Sequence, residues 1–241
     1  MDALSTKYLP GGFDQYILFN KTVELKDKKI LFIGAGLEKL LVKIERSLYS
    51  SIFYIVDDHD SLLTTRFLLS DLKDINIRLM QFDSSDFANE NFDIVYTQGS
   101  VSSSKRNKIV KEIKRILKPG GIFCVGESVL LKDNEPQFIK DIYKNSDTLP
   151  LAVNNFTEYY ISRKFEIIKE ADFSYSLRKY YKSWKDLSKE NINSLSEEEK
   201  QQNKKIIKRI SHESNAYNNL GGSKYMGFKM LILKKERDEK R

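Results

Sequence analysis

Short apolar runs alternate with helical segments along most of the chain, and this alternation limits the possible folds more than any other feature. The apolar run Ile30–Ile33 ends in Gly34-Ala35-Gly36, which is typical of a buried parallel strand and its exit turn. Residues 37–46 then show helical spacing. The same pattern predicts further strands at 52–56, 75–82, 92–96, 122–125, 165–171 and 225–233, with helices over 61–72 and 104–117. Such alternation predicts βαβ units and a doubly wound α/β sheet.

The 241 residues are predicted to form a single domain of five segments. Between the sixth and seventh strands lie about 50 residues rich in Lys, Glu, Asn and Tyr, which we expect to be a helical insertion or lid. Within it, Ser196 and Glu199 have capping-box spacing and predict a helix over 196–210. The expected segments are an N-terminal cap at 1–24, a core at 25–174, the insertion at 175–224, the last strand at 225–234 and a charged tail at 235–241.

The net charge of +7 lies in one part of the chain. Residues 163–241 carry 20 Lys and Arg against 12 Asp and Glu, a net of +8, whereas residues 1–162 carry a net of −1. A basic surface favours polyanions through counterion release. Here, however, the basic residues are interleaved with acidic ones, as on a solvated helix face. We therefore do not expect nucleic acid to be the main partner, although an enzyme acting on RNA remains an alternative.

Composition also excludes several classes of protein. The single cysteine, Cys124, excludes a disulfide framework and a multi-cysteine zinc site, and we expect no metal. No apolar run approaches the roughly 20 residues that span a bilayer. The start of the chain, Met1-Asp2-Ala3-Leu4, has neither the basic nor the apolar region of a signal peptide. We expect a cytoplasmic protein without a membrane partner.

Candidate ligand-binding residues follow four of the predicted strands. In an open α/β sheet a ligand lies beyond the carboxyl ends of the strands, near the point where the strand order reverses. Glycines there let the backbone approach a ligand, and carboxylates accept hydrogen bonds from ribose hydroxyls or an exocyclic amine. Taken singly, each group is equally compatible with an ordinary turn, cap or loop. In chain order the groups are Gly34-Ala35-Gly36, Asp57-Asp58, Asp83-Ser84 and Thr97-Gln98.

The order of these groups carries a family resemblance. Glu112–Gly121 reads Glu-Ile-Lys-Arg-Ile-Leu-Lys-Pro-Gly-Gly and closely matches the E-x-x-R-x-L-K-P-G-G signature of the class I S-adenosylmethionine-dependent methyltransferases. With the glycine turn, the strand-end acids and the run Asn91–Tyr96, residues 30–125 resemble that family. The resemblance implies a Rossmann-like, doubly wound, seven-stranded sheet whose last strand is antiparallel.

The same resemblance implies S-adenosylmethionine as the cofactor. Gly34 and Gly36 would lie against its methionine part, Asp57 would hold the ribose and Asp83 the adenine. From their position after the fourth strand, Thr97 and Gln98 would face the reacting end of a ligand bound at the first strand. Leu9-Pro10-Gly11-Gly12-Phe13 is similar to the Pro-Gly-Gly entry of small-molecule methyltransferases, where it helps to cover the cofactor. A plain loop remains the other interpretation of that segment.

Two residues depart from the family pattern. Phe32 stands where the family usually has an acidic residue, and Glu38 stands where it usually has a third glycine. Glu38 would either receive the cofactor's ammonium group or weaken binding of its carboxylate. The glycine spacing also occurs in relatives of nicotianamine synthase, which transfer an aminocarboxypropyl group from the same cofactor.

The expected function is direct in-line methyl transfer to a small-molecule acceptor. Aminocarboxypropyl transfer, RNA methylation and a non-catalytic Rossmann-like binding protein are the alternatives. The lone Cys124 argues against arsenic methylation, which uses several thiolates. No general base is evident. The tyrosines of the C-terminal third are expected either to pack in the core or to line an acceptor pocket.

Overall fold

The structure is a computed structural model that describes residues 9–183, 208 and 211–237. The first eight residues, most of the predicted helix over 196–210 and the end of the predicted tail lie outside the described residues. The helices are α1 (Gly12–Thr22), α2 (Glu38–Lys43), α3 (His59–Leu68), α4 (Arg106–Ile116), α5 (Gln137–Asn145) and α6 (Val153–Ile161). The strands are β1 (Lys28–Ile33), β2 (Tyr49–Val56), β3 (Ile75–Leu79), β4 (Phe92–Gln98), β5 (Leu117–Leu130), β6 (Leu151–Ala152), β7 (Phe165–Asp172) and β8 (Met226–Lys235).

The strands form one sheet in the order β3-β2-β1-β4-β5-β8-β7, and the two-residue β6 pairs with β5 outside this path. Strands β1 to β5 pair in parallel, and β8 is antiparallel to both β5 and β7. The predicted Rossmann-like sheet with an antiparallel last strand is therefore confirmed. The strand order reverses between β1 and β4, so the carboxyl ends of these two strands border the expected ligand cleft.

Two apolar layers cover the sheet because successive side chains of a strand point to opposite faces. Ile30 and Phe32 of β1 pack on one face beneath α1, α2, α3 and α5, whereas Leu31 and Ile33 pack on the other face with α4 and α6. The apolar side chains of α4, at Ile109, Ile113 and neighbouring positions, lie fully on the core side. The predicted insertion contributes two described helical segments, 176–183 and 211–219, which lie between β7 and β8 in the chain.

The largest difference from the predicted boundaries is in β5. The strand was expected to begin at Ile122, after Pro119-Gly120-Gly121, but it begins at Leu117. Leu117 pairs with Phe92 of β4, and a register shift then absorbs the extra residues before Ile122 pairs with Ile94. Helix α4 ends at Ile116, so the Pro-Gly-Gly run does follow the end of the helix but lies within the strand.

Candidate functional site

The glycine turn after β1 has the close backbone packing that the sequence predicts. Gly34 and Gly36 have φ of +108° and +96°, a region that residues with a side chain rarely adopt. The Gly34 amide donates to the Ile55 carbonyl of β2 at 3.0 Å. A Cβ at Gly34 would lie 2.5 Å from the Cβ of Ser100, whose hydroxyl donates to the Ile33 carbonyl. The turn is thus held against the loop that follows β4, while Ala35 is exposed.

The carboxylates of Asp57 and Asp83 lie near each other beyond the ends of β2 and β3. Asp83 is 3.8 Å from the ammonium group of Lys105. Partial burial, reinforced by the charges of Asp58 and Asp83, raises the pKa of Asp57 above its ordinary value, and Lys105 opposes this shift. Ser84 is exposed. Lys105, in the turn before α4, was not singled out from the sequence because it lies outside every strand end.

Asp58 has a structural role in the described chain. It is the N-cap of α3, and its carboxylate accepts a hydrogen bond from the Ser61 amide at 2.8 Å. This capping satisfies one of the unpaired donors of the first helical turn. Both acids are exposed, but the Asp58 carboxylate is engaged in capping α3, whereas the Asp57 carboxylate does not cap a helix.

Thr97 and Gln98 are placed differently although they are adjacent. Thr97 is fully buried, and its hydroxyl lies 3.5 Å from the Cys124 carbonyl of β5. The amide nitrogen of Gln98 donates to the carbonyls of Pro10 and Gly12, at 2.7 and 3.0 Å. Gln98 thus ties the N-terminal segment to the end of β4.

The N-terminal segment, residues 9–15, covers the carboxyl ends of β1 and β4. Gln15 donates to the Thr97 carbonyl at 3.0 Å, and the Gly11 amide donates to the Ser176 hydroxyl at 2.7 Å. Leu9 lies over Gly36, where an added Cβ would meet it at 3.1 Å. Beside Gly36 is a cavity of about 80 Å³, lined by Leu9, Gly12, Phe13, Gly36, Leu37, Lys39, Leu40, Lys43 and Gln98.

Glu38 is turned away from this cavity. Its side chain is buried, and one carboxylate oxygen accepts hydrogen bonds from the hydroxyls of Tyr54 and Thr65, at 2.8 and 2.7 Å. The Gly36 amide lies 3.4 Å from the same oxygen. The carboxylate thus joins the glycine turn, β2 and α3, and neither of the two roles expected for it beside a ligand describes these contacts.

Phe32 belongs to a buried aromatic cluster. It is fully buried, with its ring centre 5.4 Å from that of Tyr96, and Phe19 of α1 lies 5.5 Å from the same tyrosine. The position at which the resembled family usually has an acidic residue is therefore occupied by a phenylalanine ring that packs beneath α1. Burial also raises the pKa of the Cys124 thiol on this face, as expected for an unreactive core cysteine.

A buried ionic network supports the loop between β4 and α4. Glu127 of β5 is fully buried and accepts hydrogen bonds from Arg106 at 2.8 Å, from Ser102 at 3.1 Å and from the Tyr160 hydroxyl. Tyr160, a candidate acceptor-lining residue in the sequence, is therefore a core residue. The network holds the backbone that follows Gly99 at the ligand side of the sheet.

Neither a metal centre nor a membrane span is found in residues 9–183, 208 and 211–237. No group of His, Cys, Asp and Glu within those residues is arranged to hold a metal ion. No helix among them is long and apolar enough to cross a bilayer.

Sequence comparison identifies the domain. Residues 31–125 match the family model described as a methyltransferase domain. These residues are therefore similar to methyltransferase domains. The match runs from β1 into β5 and therefore contains the glycine turn, the strand-end acids and the Glu112–Gly121 run. No curated protein matches the sequence of the chain.

Solved structures show the same fold over nearly the whole chain. A putative sarcosine dimethylglycine methyltransferase from Galdieria sulphuraria is 15% identical, with a TM-score of 0.73, over 92% of this chain and 84% of the neighbour. The [4+2]-cyclase SpnF has 17% identity and a TM-score of 0.73 over 92% and 80%. Phosphoethanolamine N-methyltransferase 2 from Haemonchus contortus, in complex with phosphomonomethylethanolamine and S-adenosylhomocysteine, has 13% identity and a TM-score of 0.76 over 96% and 55%.

Proposed function

We propose that the chain is an S-adenosylmethionine-dependent methyltransferase acting on a small-molecule acceptor. The observation that carries the proposal is the grouping of two strand-end carboxylates beside a positive-φ glycine turn, at the reversal point of the sheet. The methyltransferase domain match supports it, because that domain contains all of these residues. Structural neighbours crystallised with S-adenosylmethionine or S-adenosylhomocysteine support the choice of cofactor.

The residues present fit this cofactor at both ends. Asp57 offers an accessible carboxylate to the ribose hydroxyls, and Asp83 offers one to the adenine amine. The positive φ of Gly34 and Gly36 leaves the backbone free of side chains where the methionine part approaches. Lys39 and Lys43 line the cavity beside Gly36 and supply positive charge suited to the cofactor's carboxylate. Ala35, Ser84 and Gln98 complete the proposed cofactor contacts, whereas Asp58 and Thr97 would act mainly through the backbone they fix.

Transfer would depend on position rather than on a dedicated base. When bound, the cofactor supplies an activated sulfonium methyl group. Holding the acceptor in line at about 3–3.5 Å then supplies much of the acceleration. Here the N-terminal segment, fixed by Gln98 and Ser176, would exclude water from the cleft.

Calorimetry and product analysis test the proposal in two steps. Calorimetric titration with S-adenosylhomocysteine measures cofactor binding, and absence of binding at millimolar concentration would contradict every enzymatic use of this cofactor. Mass spectrometry then identifies the product of turnover with candidate acceptors. S-adenosylhomocysteine indicates methyl transfer and methylthioadenosine indicates aminocarboxypropyl transfer. One structural neighbour is named as a [4+2]-cyclase, so the fold alone does not imply group transfer. Cofactor binding without either product would therefore contradict the proposed reaction.

A further inference from the structure

Lys105 lies beside the strand-end carboxylates of the proposed cofactor site. It belongs to the chain that leaves β4, whereas Asp83 follows β3, and β1 and β2 separate these two strands in the sheet. The Lys105 ammonium group is 3.8 Å from an Asp83 carboxylate oxygen and donates a hydrogen bond to the side-chain carbonyl of Gln81 at 3.3 Å. Its charge also opposes the rise in the pKa of Asp57. Lys105 thus faces the acids that follow both β2 and β3.

The Asp83 carboxylate has hydrogen-bonding capacity that the described residues leave unused. Its side chain is only 14% exposed, and it accepts no hydrogen bond from any residue that the structure describes. The contact with Lys105 is longer than the roughly 2.7–3.2 Å of a direct hydrogen bond. Because polar groups with little exposure are normally hydrogen-bonded, a ligand that donates to this carboxylate would be favoured.

Lys105 supplies donors next to this acceptor. An ammonium group has three N–H donors and no acceptor, and Gln81 takes one of them. The Lys105 side chain is 56% exposed, and ion pairs of exposed side chains contribute little to stability. An acceptor and a donor therefore stand side by side, and each can bond to a neighbouring atom of the same ligand.

Adenine presents the complementary pair of groups. Its exocyclic amine is a donor, and the ring nitrogen N7 beside the amine is an acceptor. On the other side of the amine, N1 is an acceptor as well. We propose that Lys105 is an adenine-binding residue, which donates to a ring nitrogen beside the amine while Asp83 accepts from the amine. This assignment rests on the proposed function, which supplies the ligand and the Asp83 contact.

Analogues of S-adenosylhomocysteine that lack one ring nitrogen test the proposal. The parent compound and its 1-deaza and 7-deaza analogues are titrated by calorimetry into the unaltered protein. At least one analogue is expected to bind roughly three- to tenfold more weakly than the parent, the loss expected for one hydrogen bond.

Two lysine variants locate the donor. In Lys105→Met, the parent should bind more weakly by a similar factor, and the difference between the parent and one weakened analogue should disappear. Lys108→Met, which alters an exposed lysine in the first turn of α4, controls for the loss of a positive charge. It should leave that difference unchanged.

The outcomes separate this proposal from the proposed function. If both analogues bind the unaltered protein as tightly as the parent, the proposal is overturned, and this comparison does not require any variant to fold. If every difference persists in Lys105→Met, or if this variant binds the parent undiminished, Lys105 is not the donor. In these cases the parent still binds, so the proposed function stands. Failure of the parent to bind the unaltered protein at millimolar concentration would overturn the proposed function itself.

Discussion

Glu38 shows how a side chain can occupy a position where the family has glycine without entering the ligand cleft. Its carboxylate accepts hydrogen bonds from two buried hydroxyls, those of Tyr54 and Thr65. Burial and the charge of Glu38 hold the pKa of Tyr54 far above its ordinary value, so this tyrosine remains a donor at neutral pH. The carboxylate is thus a structural tie between the glycine turn, β2 and α3.

Restoring the family glycine should therefore harm this protein. In Glu38→Gly, two buried hydroxyls lose their acceptor and helix α2 gains a flexible residue, so we expect the free energy of unfolding to fall by about 2–4 kcal/mol. Urea denaturation measures the change. Lys39→Gly, at the next, exposed position, controls for helix propensity and should cost about 1 kcal/mol. Equal losses in the two variants would contradict the structural role of Glu38.

The Asp57 carboxylate is expected to lower the stability of the folded chain while it strengthens cofactor binding. Its pKa is raised, so the charged form is disfavoured in the folded state, and stability falls as pH rises from the ordinary carboxyl pKa through the raised one. Asp57→Asn should therefore unfold at a slightly higher temperature at neutral pH, yet bind S-adenosylhomocysteine at least about tenfold more weakly. Calorimetry and thermal unfolding measure the two effects.

The matched control is Asp60→Asn, an exposed acid in the first turn of α3. It should leave the affinity for S-adenosylhomocysteine unchanged. Unaltered affinity in Asp57→Asn would remove Asp57 from the proposed ribose contacts.

The location of a single residue can be predicted from the sequence when it depends only on where that residue stands relative to a strand. Asp57 and Asp83 follow strands, so their location at the carboxyl edge was predictable from the alternation of apolar runs. The orientation of Glu38 was not, because Tyr54 and Thr65 are 16 and 27 residues away in the chain. The Asp58 cap was readable in principle, since an acid directly before a helix is a strong N-cap signal.

At the level of elements, the contact between the N-terminal segment and β4 is polar and specific. Gln98 donates to two backbone carbonyls of this segment, and its own carbonyl oxygen accepts from the Tyr96 hydroxyl at 3.0 Å. Replacing Gln98 by an apolar residue removes both donors while the Pro10 and Gly12 carbonyls stay partly buried. The N-terminal segment should then separate from β4 more often.

Hydrogen exchange measures this opening. In Gln98→Leu we expect faster exchange of the amides in α1, by roughly tenfold for a loss of about 1–1.5 kcal/mol, with β2 and β3 unchanged. Gln81→Leu, which alters an exposed glutamine beyond β3, serves as the control. Unchanged exchange in α1 would show that its aromatic packing alone keeps the segment closed.

The boundaries of α4 and β5 show which features can be predicted from the local sequence and which depend on distant residues. Helix α4 ends before the Pro-Gly-Gly run, as its local chemistry predicts. The early start of β5 depends on the pairing of Leu117 with Phe92 and on a bulge between neighbouring strands. Such pairing is a property of two distant segments, so local pattern placed the start of β5 five residues late.

For the whole molecule, cofactor binding is expected to stabilise the fold. A ligand that binds only the folded chain at 100 times its Kd adds about 2.7 kcal/mol to the free energy of unfolding. For a chain of this length, that corresponds to a rise in Tm of roughly 5–10 °C. Differential scanning fluorimetry with S-adenosylhomocysteine measures the shift. Asp57→Asn should show a smaller shift at the same concentration, and an identical shift would indicate binding elsewhere.

The contacts of α1 also affect how the protein can be made. The segment at its start bonds to Thr97 and Ser176, which follow 82 and 165 residues later in the chain. At a synthesis rate of about 5–20 residues per second, the partner at Ser176 emerges roughly 10–30 s after Gly11. Tyr16 and Phe19 can pack against Tyr96 earlier, but the Gly11 contact must form last. The N-terminal segment therefore reaches its final place over the strand ends only after residue 176 has been made.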